Sequence, residues 1–144
     1  MIPFYALLVS YLIFGVLGIL GISHFHGWHT PLQGAVAVML LLAASAHWGK
    51  RRPDLIRMVP QFFPRPDLIV TVTGCLEIAG AIGILFPATS RVASICLMVL
   101  LVAMFPANVH AARSKLTIGG KSTPALLVRT VLQLIFLAAI YLAG

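Results

Sequence analysis

The sequence predicts an all-α protein of the membrane, a polytopic bundle of hydrophobic helices. Three observations lead there: an apolar composition, repeated apolar stretches of spanning length, and basic residues confined to two short connections. Of the 144 residues, 60% are hydrophobic and 9% are charged, and the mean hydropathy is +1.05. A soluble domain carries roughly 25% charged residues and 45–50% apolar ones. A chain of this size hides only about 60–70% of its unfolded surface on folding. The excess apolar surface needs lipid as its solvent.

A helix needs about 20 apolar residues to cross the hydrocarbon layer, and five stretches qualify: residues 2–22, 31–48, 68–86, 92–112 and 124–143. The first lacks a basic leader and a small-residue cleavage pattern, which marks a retained helix rather than a secretory signal. Its Gly15, Gly18 and Gly21 are expected to allow close approach of a neighbour. Residues 1–30 thus form an additional N-terminal span with its connection, and residues 31–144 form a four-helix core. Cys75 and Cys96 read as small buried hydrophobes.

The formal charge is +7, yet no Lys, Arg, Asp or Glu occurs in residues 1–49. A nucleic-acid domain would spread its basic side chains over a soluble face, so nucleic acid is excluded as a partner. With five crossings, Lys50, Arg51, Arg52, Arg57, Arg65, Arg113, Lys115 and Lys121 fall on one side and Arg91 on the other. The positive-inside bias then puts the N-terminus in the cytoplasm and the C-terminus outside, in a multi-pass protein of the cytoplasmic (inner) membrane. Residues 49–66 mix Arg57 with Leu55, Ile56, Met58, Phe62 and Phe63. That composition predicts an interfacial segment meeting anionic lipid, and its prolines exclude one continuous helix.

Charged groups inside a span are costly, about 2.5–3.5 kcal/mol on insertion scales, so each suggests a partner. Glu77 lies near mid-span in the third stretch, and Arg129 enters the fifth from the same side. At 1.5 Å per residue their depths differ by about 6 Å, within reach of an arginine. Gln133 sits one turn beyond Arg129, and Thr73 one turn before Glu77. His47, Asn108 and His110 fall in the same half of the bilayer. Pro106 frees the carbonyl of Val102 there. The expected result is a polar cluster in the cytoplasmic half. It has three readings: a device fixing helix register, a pocket for the polar head of a small ligand, or an acid–base site around Glu77. The histidines of the first connection, His24, His26 and His29, are weak metal candidates. They come without carboxylate or thiolate and read as neighbours of the interfacial Phe25 and Trp28.

Several short motifs keep a recognisable order: Ala46-His47-Trp48, Met58-Val59-Pro60 with Pro64, and Thr73-Gly74 with Glu77. Gly80 and Gly83, Leu85-Phe86-Pro87 with Arg91, Phe105-Pro106-Ala107-Asn108, and Arg129 with Gln133 follow. Over residues 38–142 this pattern resembles the DoxX-like membrane proteins. Trp48 departs from it, standing where the family usually has phenylalanine, and the first span lies outside the usual core. The resemblance implies a four-helix membrane core. Its namesakes are associated with thiosulfate:quinone oxidoreduction, while many relatives have no assigned activity. No complete catalytic constellation is present, and no cofactor is predicted. The leading expectation is an accessory or structural subunit working with a membrane protein partner or as a homo-oligomer. The alternative is a binding protein or oxidoreductase subunit for a quinone or lipid-like molecule. A transporter ranks third, because no inverted repeat is visible.

Overall fold

The computed structural model describes residues 2–144. In order along the chain are α1 (Ile2–Ile19), a 3-10 turn (Ser23–Phe25), α2 (His29–Ser45), α3 (Arg52–Met58), α4 (Pro66–Gly83) and α5 (Ser90–Arg113). A hairpin of β1 (Thr117–Ile118) and β2 (Lys121–Ser122) precedes α6 (Leu126–Ala143). The chain is therefore all-helical apart from two very short strands. Four helices, α1, α4, α5 and α6, are long and apolar enough to cross a membrane. Large apolar side chains remain exposed on them, such as Val99 at 65% and Leu134 at 61%. Such faces need acyl chains rather than water.

The second helix differs from expectation in length and gains in burial. α2 has 17 residues, about 25 Å at 1.5 Å per residue, short of the ~30 Å hydrocarbon core. It packs against α1, α4 and α6 and buries Ala35, Val36, Ala37, Met39 and Leu40. Small and medium side chains at its centre let three neighbours close around it. α1, by contrast, buries only Leu7 and Gly18.

Side-chain hydrogen bonds fix which ends lie together. Gln33 Nε2 near the start of α2 donates to the Ala143 carbonyl at 3.0 Å. Ser94 Oγ near the start of α5 donates to the Ile140 carbonyl at 2.8 Å. The starts of α2 and α5 thus share one end with the finish of α6. At the opposite end the two basic connections meet, because the Gly119 N–H donates to Asp54 Oδ2 at 2.8 Å. The two connections, expected on one side from the span count, are joined there by direct contact.

Three expectations change in detail. Of the glycines in the first span, only Gly18 is a point of close approach, where a Cβ would overlap the Phe25 carbonyl, while Gly15 faces open space. Gly21 adopts φ +102° and turns the chain, which is why α1 stops at Ile19 instead of reaching Ile22. Cys75 and Cys96 are exposed, on outward helix faces rather than in the core.

The interfacial segment contains α3, which ends at Met58 just before Pro60, as the prolines require. Beyond it Phe62 and Phe63 are exposed, their rings tilted against each other with centroids 4.4 Å apart. The hairpin was not expected. Gly119 and Gly120 have φ values of +58° and +76°, the positive pair of a two-residue hairpin turn. Asp54 ties this hairpin to α3 and also pairs with Arg57. The Gly119 N–H and then the Arg57 guanidinium hold the Asp54 carboxyl below the usual carboxylate range. A depressed folded value means that the contact stabilises above the ordinary carboxylate pKa and is lost as pH falls through the lowered one. The Gly119 amide resonance is expected to titrate with an apparent pKa below 3.8, and a midpoint at or above that value would contradict the contact.

Candidate functional site

The polar residues gather, but not as one group. His47 follows the last turn of α2 and is buried, as is Glu77 on α4. His47 Nδ1 lies 3.2 Å from the Ala44 carbonyl and 3.8 Å from Glu77 Oε2. Neutral imidazole donates through one nitrogen only, and here Nδ1–H is directed at Ala44. Glu77 Oε2 is buried with no hydrogen-bond partner. Glycine makes the approach of the two helices possible. A Cβ at Gly74 would lie 2.8 Å from His47 Cβ and Cγ and from the Trp48 ring.

The expected Glu77–Arg129 pair does not form. Among the described residues Arg57 and Asp54 form an ion pair, while Glu77 has the His47 ring beside it rather than Arg129. Arg129 Nη1 instead donates to Asn108 Oδ1 at 2.6 Å. Asn108 Nδ2 donates to Gln133 Oε1 at 3.4 Å, and Gln133 Nε2 to the Leu101 carbonyl at 2.7 Å. The reason is azimuth. Counting residues along the spans leaves Glu77 and Arg129 about 6 Å apart in height, but α4 packs on α2 and α5, and α6 packs on the same two helices. The two groups therefore face different neighbours. Gln133 meets a carbonyl of the proline-opened turn, at Leu101 rather than Val102.

Thr73 donates to Ile69 and Val70 carbonyls of its own helix at 2.9 and 3.1 Å, so its hydroxyl is committed locally. His110 stands apart, beside Arg57 and Ser114 in another cavity. His24, His26 and His29 are exposed. Their recorded ring contacts are aromatic, His24 with Phe25 and His29 with Trp28. No group of three His, Cys, Asp or Glu side chains suited to a metal occurs among the described residues.

One residue that sequence reasoning passed over organises the site. Arg52 Nη1 donates to the His47 carbonyl at 2.8 Å. Its Nη2 reaches Thr71 Oγ1 at 2.8 Å and the Asp67 carbonyl at 3.2 Å. A single guanidinium thus joins the finish of α2 to the start of α4. The available signal was a cation placed just after a helix C-terminus, where it can satisfy the last carbonyls.

Beside His47 lies a cavity of about 200 Å³ with an almost wholly apolar wall. Met58, Pro60 and Phe63 form the side made by α3 and its following turn, Ile69 and Thr73 the α4 side, and Met104 and Ala107 the α5 side. Lining residues Phe63, Ala103 and Pro106 are themselves exposed, giving the cavity a rim on the lipid-facing surface. Its size suits a ring or small head rather than a whole drug-sized molecule.

A family model described as Domain of unknown function (DUF8561) matches residues 36–143. The match begins within α2, leaves α1 outside, and includes every residue of both polar groups. No curated protein and no solved structure matches the chain.

Proposed function

Because the chain belongs to the DUF8561 family, whose description assigns no activity, we propose a function from the site itself: binding of a membrane-soluble small molecule by its polar head. The carrying observation is the apolar cavity with His47 in its wall and an unpartnered Glu77 oxygen 3.8 Å behind that ring. A buried polar atom left without a partner costs about 1–3 kcal/mol. A ligand that hydrogen-bonds the His47 ring and draws Glu77 into the network offsets that cost. The apolar remainder of the molecule lies against Met58, Phe63 and Met104 and leaves through the rim toward lipid.

A quinone, suggested by the DoxX-like resemblance, fits this description. So does another lipid-like molecule with a compact head. In this reading α2, α4, α5 and α6 form a DoxX-like four-helix core. α2 counts as a fifth crossing, enclosed by α1, α4 and α6. The basic end then faces the cytoplasm and the C-terminus lies outside the inner membrane. Arg129, Asn108 and Gln133 serve as a register device between α5 and α6.

The accessory-subunit reading draws on α1, which packs on α2 at the periphery and stands outside the family match. The binding reading is tested by organic extraction of the purified protein and mass spectrometry. Wild type is expected to release a stoichiometric small molecule, Ala107→Phe to release none because the ring fills the cavity, and Glu77→Gln to release less. A folded wild type with no bound molecule and a stoichiometric protein partner would move the case to the accessory reading.

A further inference from the structure

A second cavity, of about 570 Å³, lies across the turn that follows α3. Val59, Pro60 and Phe63 line both cavities, so one short stretch of chain separates them. The second differs in chemistry. Arg57, Gln61, His110 and Ser114 bring hydrogen-bond donors to it, and no acid lines it. Basic residues also flank its wall in sequence: Arg65 precedes Pro66, and Arg113 and Lys115 bracket Ser114.

The chain's three acidic residues are placed elsewhere. Glu77 is buried in the bundle, Asp54 is engaged by Gly119 and Arg57, and Asp67 sits in the first turn of α4. Arg57 spends one nitrogen on Asp54 and, more weakly, on the Thr117 carbonyl, and its side chain remains 56% exposed. The rest of its donor fork is available. The cavity lies at the basic end of the bundle, between the turn after α3, the start of α4 and the finish of α5. Ile56, Phe63 and Leu116 supply an apolar floor.

We propose that this cavity is a headgroup site for an anionic phospholipid. Arg57 and His110 contact the phosphate, and the apolar floor receives the glycerol and the first methylenes. The matching features are charge complementarity, a guanidinium of the kind that recognises phosphate and the amphiphilic lining. This site is separate from the small-molecule cavity and stands whether or not that cavity holds a ligand.

The full chain in detergent micelles doped with phosphatidylglycerol or with phosphatidylcholine, followed by native mass spectrometry, tests the proposal. Phosphatidylglycerol is expected to be retained in preference. Arg57→Gln should lower that retention about fivefold, the effect of one cation near a membrane surface, and His110→Ala by a similar factor through the loss of one hydrogen-bonding group. Asp54→Asn releases Arg57 from its intramolecular partner and is expected to leave retention equal or higher. Equal retention of the two lipids overturns the proposal. So does an equal loss in Arg57→Gln and Asp54→Asn, which would trace the effect to the contact between α3 and the hairpin. Displacement of the lipid by an equal concentration of inorganic phosphate overturns the lipid as the source of the anion. If Arg57→Gln fails to fold, His110→Ala decides alone, since an unchanged preference there removes the assignment.

Discussion

Replacing Gly74 with alanine is expected to destabilise the protein by about 1–3 kcal/mol, the usual range for an overpacked contact. The added methyl would sit 2.8 Å from His47 Cβ and Cγ and from the Trp48 ring. The exposed Trp48 ring can swing aside, but His47 cannot give way cheaply, because its carbonyl is held by Arg52 and its ring is buried beside Glu77. The finish of α2 must move off α4, and the His47–Glu77 geometry goes with it. Retention of a bound molecule should fall together with thermal stability. Gly15→Ala is the control. It points into open space and gains up to about 1 kcal/mol of helix propensity. Equal behaviour of the two variants would contradict the close approach.

The second large effect belongs to Arg52. Its fork makes three hydrogen bonds, to the His47 carbonyl, Thr71 and the Asp67 carbonyl. A hydrogen bond to a charged group contributes about 1.5–3 kcal/mol when well buried. Arg52 is only partly buried, so the expected loss in Arg52→Ala is about 2–3 kcal/mol in total, with the solvent taking back part of each bond. Arg52→Lys should recover less than half, because an ammonium cannot bridge three acceptors in two directions. Reversible unfolding in mild detergent measures both. A lysine variant as stable as wild type would show that charge alone matters and that the fork does not.

Much of the architecture was legible because hydrophobic length is a one-dimensional signal. α4, α5 and α6 start and stop within about one turn of the expected spans, and Pro66 and Pro60 mark boundaries where proline chemistry demands them. The shared position of the two basic connections was legible from the number of spans between them together with charge. What the sequence could not carry was rotation about helix axes. Span counting puts Glu77 and Arg129 in the same half of the bundle, yet α2 and α5 stand between α4 and α6, and the two side chains turn to different partners. The Ala46-His47-Trp48 and Thr73-Gly74 motifs were both visible. Their contact was not, since it depends on how α2 crosses α4.

Other features escaped for local reasons. The hairpin strands are two residues each, too short for alternation to show, although the Gly119-Gly120 pair is a recognised turn signal. Arg52 was counted as one more cytoplasmic cation, when its position after the last turn of α2 made it a capping group. The cavity beside His47 is a property of packing. It lies between α3 with its following turn, α4 and α5, with Pro60 and Pro106 in its wall.

That cavity decides the function proposed here, and a density map of the protein in lipid nanodiscs measures it most directly. The expected result is continuous density between Met58, Thr73 and Met104, its compact end within hydrogen-bond distance of the His47 ring and its tail leaving past Phe63. A cavity closed by Phe63 and Met104, with no density and with Glu77 satisfied by protein groups alone, would contradict a binding role for this site.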